Sequence, residues 1–167
     1  MKKTLKFLKE EFLEMLPPTI YFFVIFHILF FINSLIASHY QISINSSVIA
    51  TIGALIVGKA ILISDKIKLL NLFKDKTLVH RVLWRVFIYT IMVFIFKYLE
   101  ELIPLISKYD SLNQANEHVF ENIIWPRFWT IQIFLIIFLM IYVFVSELIK
   151  TLGKEEFLKL IFNKKTQ

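Results

Sequence analysis

Apolar residues in this chain fall in long blocks separated by short charged stretches. Residues 19–38, TIYFFVIFHILFFINSLIAS, contain no Asp, Glu, Lys or Arg. At 1.5 Å rise per residue, about 20 helical residues cross the roughly 30 Å hydrocarbon core of a bilayer. A second block covers 46–64, with Lys59 as its charge. A third covers 82–103, centred on Val86–Phe96, and its ends need the long stems of Arg85 and Lys97 to carry their charges back to the headgroups. The fourth, 128–149, contains Gln132 and Glu147. Stretches such as IFLIIFLMIYVFV do not alternate apolar with polar residues, as barrel strands must. A helix satisfies its own backbone in lipid, so four transmembrane helices are predicted. The first block is preceded by lysines, but it is longer than a signal-peptide h-region and no clear small-x-small cleavage site follows. It reads as a retained anchor.

Between and around these blocks the pattern changes. Residues 2–16, KKTLKFLKEEFLEML, place Leu5, Leu8, Phe12 and Met15 on one helical face and charges on the other. This predicts an amphipathic N-terminal helix in the membrane interface, ended by Pro17-Pro18, which turn the chain into the first span. The tail 150–167 repeats a shorter version of the pattern in KEEFLKLIF. Of the stretches between spans, the segment from Glu100 to Arg127 is long enough for one short helix, expected near Asn113–Ile124. The whole, 1–167, is a single all-α membrane domain, a four-transmembrane-helix bundle.

Charge sets the expected orientation. Lys2, Lys3, Lys6 and Lys9 precede the first span; Lys66, Lys68, Lys74, Lys76 and Arg81 lie between the second and third; Lys150, Lys154, Lys159, Lys164 and Lys165 follow the fourth. The stretch His39–Asn45 has no Lys or Arg, and the loop after the third span has Lys108 and Arg127 among several acids. The positive-inside rule then places both termini and the middle loop in the cytoplasm, with Trp125 and Trp129 in an outer aromatic belt. The net charge of +6 and pI near 9.5 follow from these flanks. They point to anionic lipid headgroups as partners rather than nucleic acid, since no basic stripe lies on a soluble domain. The 57% hydrophobic and 19% charged composition agrees with lipid as the main solvent. Without cysteine, the chain has no disulfides, iron–sulfur clusters, thiol catalysis or cysteine zinc sites.

Candidate chemistry is sparse. Gly53 to Ala60, GALIVGKA, imitates a phosphate-binding loop, but Ala60 stands where a magnesium-binding hydroxyl is required and the segment lies inside an apolar span. Gly53 and Gly58 fit better as small residues that let another helix approach closely. His27 and Asn33 in the first span are expected to make polar contacts between helices, with a proton relay through His27 as the sharper alternative. Lys59, Arg85 and Glu147 enter their spans at similar inner-leaflet depth. Three readings stay open: all three snorkel to headgroups, Lys59 or Arg85 pairs with Glu147, or the cluster lines an ion or substrate pathway. Glu100 and Glu101 at the outer end of the third span are either a solvated helix end paired with Lys97 or an acidic cation mouth. Glu117, His118 and Glu121 share a face of the loop helix without a fixed ligand geometry, so no metal is expected. No cofactor is expected either, and no catalytic motif is present.

The runs GALIVGKAILISDK (53–66), VLWRVFIYT…KYLEELIPL (82–105) and ANEHVFENIIWPRFWTIQI (115–133) resemble a family of uncharacterised small bacterial inner-membrane proteins with four transmembrane helices. The resemblance implies a multi-pass fold in the bacterial cytoplasmic membrane and brings no activity or site residue with it. Two functions are then expected as alternatives. One is a non-enzymatic scaffold or accessory subunit that self-associates or binds a larger membrane partner. The other is a homo-oligomeric ion channel or transporter, in which several copies surround the pore.

Overall fold

The structure, a computed structural model, describes residues 2–39, 47–106, 108–109, 111–121 and 123–162. It is helical, with α1 (Lys2–His39), α2 (Ser47–Asp65), α3 (Leu78–Ile106), α4 (Leu112–Glu121), α5 (Trp125–Leu152) and α6 (Lys154–Phe162), plus a 3-10 turn at Lys68–Asn71. Among the described residues there is no strand. Four helices, α1, α2, α3 and α5, are long and apolar enough to cross a membrane. The expected loop helix is α4, three residues shorter at its C-terminal end than the sequence pattern suggests. The third span is extended at both ends, through Pro104.

The N-terminus departs from expectation. There is no separate amphipathic helix before the first span: α1 runs unbroken for 38 residues through Pro17 and Pro18. Proline's fixed φ is compatible with a helix, although each one removes a backbone donor and crowds the carbonyl four residues before it. Membrane helices tolerate that loss where neighbours support the freed groups. Here α2 packs against α1 directly after the prolines, with Gly58 on Thr19. The side chains of Leu5 and Leu8 lie outside the described residues, as does the stretch 40–46. Phe12 is exposed and Met15 is half-buried. At 1.5 Å per residue α1 is about 57 Å long, well beyond one hydrocarbon thickness. Its first turns therefore extend past the bundle, where Glu11 forms an ion pair with Lys66 just after α2.

Packing follows chain order: α1 lies on α2, α2 on α3, and α3 on α5, while α1 and α5 meet only narrowly. The core is apolar and small-residue-rich where α2 contributes to it: Phe22 from α1, Ala54, Val57, Ala60 and Ile61 from α2, Val86, Tyr89 and Val93 from α3, and Leu135, Leu139 and Val143 from α5. Near its centre, Tyr21 donates a hydrogen bond to the Phe138 carbonyl (3.2 Å), and its ring lies 5.1 Å from Phe22 and 5.4 Å from Tyr142. These aromatic contacts join α1 to α5 over a short length. At the far end of α5, Gly153 takes φ +84, a left-handed conformation that separates α5 from α6.

Candidate functional site

Glu147 is the buried charge around which one end of the bundle is organised; its side chain is 5% exposed. It sits in the last turns of α5 and faces α3, on which Arg81 and Arg85 are four residues apart and so share a face. Arg81 Nε lies 3.3 Å from Glu147 Oε2, and Arg85 Nε lies 3.2 Å from Oε1. Lys150, one turn further along α5, is 3.8 Å from the same Oε1. Arg85 Nη1 is also 3.5 Å from Asp65 at the end of α2, and Tyr89 donates a hydrogen bond to that carboxylate. Arg81 Nη2 donates to Thr151 Oγ1 (3.0 Å), which in turn donates to the Glu147 carbonyl (2.8 Å). Three helices are thus tied by one network of alternating charge.

Burial makes this network costly to break. A carboxylate removed from water without a partner loses several kcal/mol of solvation. Two guanidiniums with a third cation nearby offset that loss, and Asp65 balances Arg85 from the other side. A void of about 10 Å³ adjoins the network, bounded by Tyr89, Tyr142, Ser146 and Glu147 among others. Glu147 Oε1 has no well-aligned hydrogen bond within the described structure. A polar void of this size is at the lower limit for one water, and a water there would satisfy that oxygen.

Of the residues the sequence grouped, Arg85 and Glu147 meet and Lys59 does not. Lys59 is exposed on α2, with its ammonium 6.0 Å from the Phe96 ring. The reason is axial position: Lys59 precedes Asp65 by six residues, about 9 Å along the helix. α2 and α3 run in opposite directions, so Lys59 faces the Phe96 level of α3 rather than the Arg85 level. Asp65, Arg81 and Tyr89 complete the network in its place. Arg81 was expected among the loop charges, because the apolar block begins after it. The spacing Arg81–Arg85 was the available signal, since i and i+4 cations on one helix need a common counter-charge.

Compared with protein-family models, with curated proteins and with solved structures, the chain matches none. Function must therefore be read from its own geometry.

At the opposite end of α3, Lys97 pairs with Glu100 (2.8 Å) and Glu101 (3.4 Å) on the helix surface. Both acids lie on a single helix and share Lys97 as their counter-charge. Lys97→Ala is expected to change stability by less than about 0.5 kcal/mol, because exposed i,i+3 and i,i+4 pairs contribute little. A thermal unfolding midpoint in detergent that fell by several degrees would give these acids a larger role. Nearby, Tyr98 donates to Asn116 Oδ1 (2.8 Å) and holds α4 against α3. Glu117, His118 and Glu121 do not converge: among the described residues no three His, Asp or Glu side chains group as a metal site.

His27 makes a contact within its own helix. Its Nδ1 donates to the Phe23 carbonyl of its own helix (2.8 Å), and its ring lies 4.1 Å from that of Phe23. An imidazole one turn after a helical carbonyl reaches it without leaving the helix. Asn33 is exposed on α1. The glycines do mark close packing. A Cβ on Gly53 would lie 3.2 Å from the Phe26 ring, and one on Gly58 would overlap Thr19.

Proposed function

We propose that this chain is a multi-pass protein of the bacterial cytoplasmic membrane, with both termini cytoplasmic, that acts as a non-enzymatic scaffold or accessory subunit. The observation that carries the reading is the distribution of polarity inside the bundle. The buried carboxylate of Glu147 is held at one end by Arg81 and Arg85, while Lys59 and the Lys97, Glu100 and Glu101 group lie on exposed helix surfaces. Beyond that carboxylate the core is packed by Phe22, Ala54, Val57, Val93 and Leu139. A transport route through one copy needs polar groups or water from side to side. This interior offers close-packed hydrocarbon instead.

The outer surface supports the same reading. Phe23, Val24, Ile28 and Phe31 on α1, and Ile133, Ile137, Met140 and Phe144 on α5, are exposed. In a bilayer these faces meet lipid or the helices of another subunit, and α1 and α5 each have most of their circumference available for that. Lys66 and Lys150 lie at the same end as the Glu147 network, which fits attraction to the anionic inner leaflet.

The test is the oligomeric state of the full chain in nanodiscs, by native mass spectrometry. A monomer or dimer is the expected result. A closed ring of four or more copies would replace this reading with the alternative of a homo-oligomeric channel, because a pore would then lie between copies rather than within one.

A further inference from the structure

The narrow contact between α1 and α5 leaves a crevice at the network end of the bundle, with a volume of about 400 Å³. From the charge and shape of its walls, we infer that it is a binding site for the headgroup of an amine-bearing phospholipid, an aminoalkyl phosphodiester. The inference rests on the reading that these helices lie in a bilayer, and is independent of oligomeric state.

The crevice opens at the level where headgroups of the lysine-rich side would lie. Its positive groups are Lys66, Arg85 and Lys150; its negative groups are Glu14 and Asp65. Toward the bundle centre the wall becomes apolar, with Pro18, Ile61, Leu62 and the Tyr142 ring. Such a gradient, charged at the mouth and apolar along the helices, matches an amphiphile whose head stays at the interface. Basic pockets between membrane helices on the cytoplasmic side are suited to lipid phosphate.

One feature asks for a cation on the ligand as well: the pair of carboxylates, Glu14 and Asp65, which a purely anionic headgroup would have to approach. Asp65 is already paired with Arg85, so an ammonium group would have the exposed Glu14 carboxylate as its acceptor, while the phosphate faces Lys150. Lys150 is 3.8 Å from Glu147, too far for a close charge-assisted hydrogen bond, so its donors are free to turn to a ligand.

The experiment is lipid titration of the delipidated full chain in detergent, read by native mass spectrometry. Its probes are phosphatidylethanolamine, phosphatidylglycerol and the water-soluble headgroup phosphoethanolamine. The expected result is that phosphatidylethanolamine binds about fivefold more tightly than phosphatidylglycerol, and that phosphoethanolamine does not bind in the same range. Glu14→Gln should erase the preference, and Lys150→Ala should weaken both lipids about fivefold, one surface cation's worth. Both side chains are exposed, and an unchanged helical circular dichroism signal would verify folding. Equal binding of the two lipids, or binding unaffected by either variant, would overturn the inference. Tight binding of phosphoethanolamine would also overturn it, by assigning the crevice to a free phosphate ester. None of these outcomes bears on the number of copies, so the scaffold reading stands or falls separately.

Discussion

Replacing Glu147 with Gln is expected to cost about 3 kcal/mol of stability. The substitution keeps the shape and removes the charge. Arg81 and Arg85, with side chains 24% and 18% exposed, would then face each other with Lys150 nearby and no counter-charge on α5. Breaking a buried ion pair by removing one partner costs more than the pair itself contributes, because the remaining charges stay desolvated. The residual exposure of the arginines places the cost at the lower end of that range. For a chain of this size the thermal midpoint in detergent should fall by about 10 °C.

A double-mutant cycle separates the network from its neighbours. Arg85→Ala and Glu147→Gln should be strongly non-additive, with a coupling of about 1 kcal/mol or more, since the second change removes a penalty the first creates. Lys59→Ala and Glu147→Gln should add within about 0.5 kcal/mol, since Lys59 sits about 9 Å further along its helix. Additivity in the first cycle, or coupling in the second, would contradict the placement of these residues.

The spans were legible in the sequence because a lipid-crossing helix is the coarsest signal a chain can carry: length and apolar content suffice, whatever the neighbours. The charge network was legible only in part. Arg85 and Glu147 stood out because each lies inside an apolar block, where a charge needs a reason. Asp65 and Arg81 belong to the same network but sit at block edges, where charges are ordinary. Lys59 stood out equally and is not a member. Depth along one helix can be counted from a sequence, but the offset between antiparallel helices depends on loops and packing that it does not display. The prolines misled for a related reason. A Pro-Pro pair ends most helices in water, where freed carbonyls are readily solvated by a turn. In a helix already packed against α2 and continued by an apolar run, the φ of proline is compatible with continuing the helix.

The second large effect is expected where α1 and α2 touch. Gly58 is buried, and a Cβ built on it would overlap Thr19 Oγ1, with Thr19 Cβ at 3.1 Å and the Thr19 Cα at 3.3 Å. The hydroxyl could rotate away, but the Cα is backbone and cannot. Gly58→Ala must therefore push the two helices apart, and overpacking of this kind costs about 1–3 kcal/mol. Apolar attraction does little between helices in lipid, so close van der Waals contact carries much of their association and loosening it is felt directly. Gly58→Leu should exceed Gly58→Ala and lower the yield of monodisperse protein. Adding Thr19→Ala to Gly58→Ala should restore part of the loss, because it removes the hydroxyl nearest the new methyl but leaves the backbone approach unchanged. Gly53→Ala is the internal comparison. Its Cβ would meet only the Phe26 ring, at 3.2 Å, which is the end of a side chain that can tilt. A thermal midpoint for Gly53→Ala near that of the parent, with Gly58→Ala several degrees lower, is the expected order. The reverse order would mean that α1 and α2 cross at Gly53 rather than at Gly58, and would move the mouth of the lipid crevice away from Glu14 and Lys66.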